Sequence, residues 1–220
     1  MIGNSSLTAS NDPFLPSQGD WQIYVTSPDG FVRFVVGPDH PPAGIGSARL
    51  STGTHGDDGA ELRNFKFAGT RVSDLTCLTY WTYDLVNNGA QWPFLSLDIN
   101  YTGGTTAEDA WWFEPIYQTS GHPCPAQPPP TYHTWQLWDA LNGCWWTNSG
   151  IAGATEASPQ PLSVILAVVP DATIVNYNGH GGVRLGHGYS GPTDLFDGNV
   201  DLVSIGAGNS VYIYDFEPVA

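Results

Sequence analysis

Hydrophobic and polar positions alternate with a period of two along most of the chain, and such runs predict half-buried strands. Phe94-Leu95-Ser96-Leu97-Asp98-Ile99 and Val211-Tyr212-Ile213-Tyr214 show the alternation most cleanly. The pattern places strands over 21–26, 31–36, 47–51, 60–66, 75–83 and 93–101, then over 111–117, 132–138, 173–178, 182–185, 200–205 and 210–216. Turn residues separate them, among them Pro28-Asp29-Gly30, Asp58-Gly59, Asn88-Gly89, Gly103-Gly104 and Asn142-Gly143. One segment has the helical period instead. Leu162, Ile165, Leu166 and Val169 fall at i, i+3, i+4 and i+7, with Ser158-Pro159 as the start signal and Pro170 as the stop. A short helix lying across a sheet is expected there. About a dozen strands and one helix predict an all-β fold: a two-sheet antiparallel, jelly-roll-like sandwich over residues 20–220. Within residues 1–19, Ile2, Leu7, Phe14 and Leu15 stand between polar residues, the pattern of an extended N-terminal arm.

Composition narrows the function classes. Six Lys and Arg stand against 21 Asp and Glu, a formal net charge of −15. Binding to nucleic acid is excluded on that balance, because neutralising phosphates takes several cations. Docking to an anionic membrane surface is disfavoured for the same reason. The longest apolar run, Leu162–Val169, falls far short of the ~20 residues that span a bilayer, so no membrane insertion is expected. Charged residues make up 12% and aromatics 13%, so Gly, Ser, Thr and Asn must cover much of the surface. That usage, with the polar start Gly3–Ser10, fits the mature chain of an extracellular protein.

Three cysteines cannot all pair internally. Cys77 sits in an apolar run and reads as a small core residue, while Cys124 and Cys144 flank a Pro-rich excursion. A disulfide between them would close a ~20-residue loop and contribute about 3 kcal/mol. Asn4 and Asn100 each begin an Asn-x-Ser/Thr triplet and are candidate glycosylation positions.

The run Asp197-Gly198-Asn199-Val200-Asp201-Leu202-Val203-Ser204-Ile205-Gly206 resembles the closing strand of secreted lectin-like and carbohydrate-binding jelly rolls. Tyr214-Asp215-Phe216-Glu217 and Thr134-Trp135-Gln136, with Trp138-Asp139 and Trp145-Trp146, are similar to secreted bacterial sandwich proteins of unassigned function. The resemblance implies a fold and an extracellular setting, and it carries over no catalytic residue.

Candidate chemistry is sparse. Glu114 lies among aromatics that would raise its pKa, as a general acid requires, yet no carboxylate stands at 112 or 116 and Asp98 is alone on its strand. A non-catalytic protein is therefore the expectation. His55, His180 and His187 lack zinc-site spacing and read as loop histidines. Asp194, Asp197, Asn199 and Asp201 offer hard oxygen donors at short spacing, a candidate calcium set. The adjacent pairs Trp111-Trp112 and Trp145-Trp146 must each send one indole away from the core if extended. With Trp135 and Trp138 they are the candidates for stacking on extracellular polysaccharide or for burial against another subunit. The leading expectation is a structural protein that assembles with copies of itself through the arm; the alternative is a carbohydrate-binding module.

Overall fold

The computed structural model describes residues 20–26, 29–54, 58–87, 89, 91–176, 181–188 and 195–218. Two antiparallel sheets face each other, as the alternation requires. The strands are β1 (Trp21–Thr26), β2 (Phe31–Val36), β3 (Gly46–Thr52), β4 (Gly59–Asn64), β5 (Leu75–Val86), β6 (Phe94–Asn100) and β7 (Asp109–Phe113). They continue with β8 (Gln136–Asp139), β9 (Cys144–Thr147), β10 (Gln160–Pro161), β11 (Thr173–Ile174), β12 (Val183–Gly188), β13 (Phe196–Ala207) and β14 (Ser210–Tyr214). The larger sheet runs β1-β4-β12-β6-β7-β9-β10, with β11 beside β6; the smaller runs β2-β3-β13-β5-β8, with β14 beside β13. Only the inner face of each sheet can bury apolar groups against the other, so Ile23, Leu62, Leu185, Leu95 and Trp111 meet Leu50, Val200, Tyr80 and Trp138 in one core.

The helix, α1 (Leu162–Val168), is shorter than its periodicity suggests. Gln160 and Pro161 pair with Trp145 and Cys144 as an edge strand, which holds the start signal in extended backbone. Leu162 and Ile165 still bury as expected. The predicted strand over 111–117 ends at Phe113 and continues as a 3₁₀ turn at Pro115–Tyr117, where Pro115 removes a ladder donor. The strand predicted over 132–138 forms only at Gln136–Asp139, and β9 and β10 were hidden by their shortness.

Cys124 and Cys144 are joined in a disulfide. It pins the Pro-rich excursion to the start of β9, where the chain has crossed from the smaller sheet (β8) to the larger. The Gln118 side chain adds to this by bonding both the amide and the carbonyl of Cys144, and Gln127 does the same for Asp139. Cys77 is half-buried on the outer face of the smaller sheet, not in the core, because its register partner is Gly206 and not an inward residue.

Candidate functional site

No third layer is built from the described strands over the outer face of the larger sheet, yet that face is rich in charged and aromatic groups. Strand register brings Gln22, Arg63, Arg184, Ser96, Trp112 and Trp146 into one row across six strands, β1-β4-β12-β6-β7-β9. At ~4.8 Å per strand the row is about 24 Å long. A second row holds Tyr24, Glu61, Gly186 and Phe94. Each of these residues points outward because its neighbours, such as Leu62, Leu185, Leu95 and Trp111, point inward.

Side chains within the rows lean on one another. The Arg63 guanidinium lies 3.5 Å from the Tyr24 ring centroid and its Nε donates to Glu61 Oε2 at 2.5 Å. Arg184 reaches across Ser96 and sits 4.7 Å from the Trp112 ring centroid. Its other contacts are Asp98 at 3.2 Å and Glu61 at 3.6 Å. Trp112 stacks on Trp146 at 5.4 Å and 11° and meets Phe94 edge-on. Two arginines directly opposite each other would repel, so Glu61 and Asp98 are what allow the pair to stand side by side. Burial pushes the Asp98 carboxyl up to about 6, with Arg184 opposing the rise. Glu114 follows β7 at the rim. Its Oε1 accepts from Trp146 Nε1 at 3.2 Å, and burial raises its pKa to about 7 despite that bond.

Three buried atoms on this face lack a hydrogen-bond partner: Glu61 Oε1, Ser96 Oγ and Arg184 Nε. Native proteins leave few such atoms, because each unmade bond costs about 1–3 kcal/mol. Glu61 and Asp98 contact the same Arg184 guanidinium and serve as its counter-charges, whereas Glu61 and Glu114 are not arranged as a hydrolytic pair. Glu61 and Glu114 belong to β4 and to the end of β7, three strand steps or about 14 Å apart. Glu114 is bonded to Trp146 on the side away from Glu61. Glycosidase carboxyls lie about 5–10 Å apart.

The aromatic candidates divide by strand parity. Trp112 and Trp146 belong to the outer row and keep part of their surface exposed. Trp111, Trp138 and Trp145 are completely buried and offer no ring face to a ligand, since the core claims the inward position of each strand. Trp135 lies elsewhere, against Tyr83 on the smaller sheet, with its Nε1 donating to the Pro38 carbonyl.

Other sequence candidates fall in different places. Asn100 is 3% exposed and its amide is occupied by Thr106, Thr102 and Gly104, so a folded chain cannot carry a glycan there. His187 is a strand residue of the core, not a loop histidine. It stacks on Phe196 at 4.0 Å, and burial lowers its pKa to about 3. Asp197 is held by Arg49 in a bidentate ion pair. Asn199 bonds Ser47, and Asp201 accepts the Phe216 amide. Ile2, Asn4, Leu7, Phe14, Leu15, His55, His180 and Asp194 lie outside the described residues. No three or more His, Cys, Asp or Glu among the described residues converge to hold a metal by themselves. No described helix is long and apolar enough to cross a membrane.

The sequence reading missed Arg63, Arg184, Glu61, Ser96 and Phe94 as a group. One signal was present: Glu61 and Arg63 are alternate residues of one strand run, so they share a face. Comparison with protein-family models, with curated proteins and with solved structures finds no match for the chain.

Proposed function

We propose that this protein is a non-catalytic, extracellular glycan-binding sandwich, and that the outer face of the larger sheet receives an uncharged saccharide chain. The observation that carries this reading is the six-strand row from Gln22 to Trp146. Sugars present an apolar C–H face that stacks on indole and hydroxyls that pair with planar arginine, carboxylate and amide groups. The row carries both kinds of group side by side, partly exposed at Gln22, Arg184, Trp112 and Trp146 and buried at Arg63 and Ser96. Its two arginines are balanced by Glu61 and Asp98, which favours a neutral ligand over an anionic one. The engagement of both Glu61 and Asp98 by Arg184, with the wide separation of Glu61 from Glu114, favours binding over hydrolysis. A disulfide supports an oxidising compartment.

Titration calorimetry against a panel of neutral polysaccharides tests the reading with wild type and Trp146→Ala. Wild type binds at least one polysaccharide, and Trp146→Ala weakens that binding tenfold or more. An empty panel, or equal binding by the variant, overturns it.

A second reading, self-assembly through the arm, is favoured by one observation. Val211 and Ile213 on β14 are 58% and 66% exposed. Asp20, where residues 1–19 join the sandwich, is bonded to Tyr214 of that strand at 3.0 Å. An uncharged edge strand of alternating apolar residues is open to pairing with another segment. Light scattering after size exclusion decides it: removing residues 1–19 converts assemblies to monomers, and an unchanged mass refutes the idea.

A further inference from the structure

Asn199 and Asp201 are alternate residues of β13 and share the outer face of the smaller sheet, where both are buried. Four side chains there converge on one backbone segment, residues 43–47. The Ala43 amide donates to Asp201, and the Ile45 and Gly46 amides donate to Glu217 Oε1 at 2.8 and 3.3 Å. Asn199 Nδ2 donates to Ser47 Oγ at 2.8 Å. A Cβ at Gly44 would lie 1.5 Å from Glu217 Oε1 and 3.2 Å from Asp215 Oδ2, so both carboxylates crowd the same turn. Gly44 has a φ of +53°, which together with that crowding explains its lack of a side chain.

Three buried atoms in this cluster have no hydrogen-bond partner: Asn199 Oδ1, Asp201 Oδ2 and Asp215 Oδ1. All three are oxygens, and all three are acceptors. Asp201 is 0% exposed, and among the described residues neither it nor Asp215 forms an ion pair with an arginine or lysine. Asp215 raises the proton affinity of Asp201, and Glu217, hydrogen-bonded to Asp215 through its side chain, raises that of Asp215, in each case alongside the larger effect of burial. Acceptor oxygens without donors, carrying two negative charges and no cationic side chain, are the complement of a hard divalent ion.

We infer that Asn199, Asp201 and Asp215 form a calcium site that ties β13 and the C-terminal segment to the turn at residues 43–47. Calcium suits the set better than magnesium, because it accepts irregular shells of six to eight oxygens, including neutral amide oxygen. Water and main-chain carbonyls complete such shells. Asp197 is not part of the site, since Arg49 already occupies both its oxygens. The role is structural and independent of ligand binding on the other sheet.

Thermal unfolding of the full chain at pH 7.5, in EDTA and in millimolar CaCl₂, tests the inference on wild type and Asp215→Asn. Asp215 is only partly buried, so this variant retains the fold. Calcium raises the wild-type midpoint by at least about 5 °C, the size expected for an ion present well above its dissociation constant. In Asp215→Asn the rise falls by half or more, while the midpoint in EDTA stays within about 2 °C of wild type. An unchanged wild-type midpoint, or an equal rise in the variant, overturns the site. If a shared proton satisfies these oxygens instead, calcium has no effect and acid alone stabilises the chain, which also overturns it.

Discussion

Arg184→Met keeps the length and much of the packing of the side chain but removes its charge from the centre of the outer face. In the native chain that charge faces Asp98 at 3.2 Å and Glu61 at 3.6 Å, with Arg63 as the remaining cation. All of these groups are largely withdrawn from water, so little solvent screening compensates the loss. Removing one partner of a buried ion pair leaves an uncompensated charge, at a cost of about 3–5 kcal/mol. For a domain of this size that lowers the melting temperature by about 6–20 °C. The loss depends on pH in a direction the structure sets. Burial already holds Asp98 up to about 6, and Arg184 is the main group opposing that rise. Without it Asp98 binds its proton more tightly still. At pH 5 Asp98 is protonated with or without the arginine, whereas at pH 8 only the variant must keep a proton or bury a bare carboxylate. The variant's loss at pH 5 is therefore smaller than at pH 8 by at least about 1.4 kcal/mol, one tenfold step in proton affinity. Urea unfolding at both pH values measures it, and adding Asp98→Asn restores stability at pH 8 but not at pH 5. Equal losses at the two pH values, or a loss below about 1 kcal/mol at pH 8, refute the coupling.

Three further outcomes follow from the same geometry. Replacing Cys124 and Cys144 by serine removes a cross-link with a sequence separation of 20 and costs about 3 kcal/mol, read as a fall in melting temperature of about 6–12 °C; a fall under 2 °C counts against the pinning role of the loop. Trp145→Ala and Trp146→Ala separate core from surface: the first costs about 3–5 kcal/mol because Trp145 is buried, and the second costs less than half as much. Equal losses in urea titrations contradict that division. In EDTA, stability falls as pH rises. Asp98, Glu114 and Asp201 have folded pKa values of about 6, 7 and 7, all above the usual carboxylate range. The folded chain therefore binds more protons than the unfolded one between about pH 4 and pH 7. These three outweigh the opposing effect of His187, which burial holds neutral down to about pH 3, so stability is lost across that window, on the order of 5 kcal/mol in total. A chain more stable at pH 8 than at pH 5 in EDTA contradicts the sign.

Alternation along the chain marks most of the strands and the inward face of each, β9 and β10 excepted. A period of two is a local property, so β1, β2, β6 and β14 stand nearly where alternation places them. It also determined that each adjacent tryptophan pair sends one indole outward, though not which one. Boundaries failed where a local rule met a distant partner, as when β9 claimed Gln160 and Pro161 from the helix. Neighbours across strands were decided only by tertiary structure. Alternation fixes the face of Arg63, Arg184, Ser96, Trp112 and Trp146, but their common row depends on β4, β12, β6, β7 and β9 lying in that order. That order comes from burying one shared core, a condition on the whole chain that no window of sequence contains. The same holds for Asn199, Asp201 and Asp215. Asn199 and Asp201 were legible as oxygen donors and Asp215 was not, while pairing decided that Asp197 turns to Arg49 and that Asp215 arrives from the C-terminal segment.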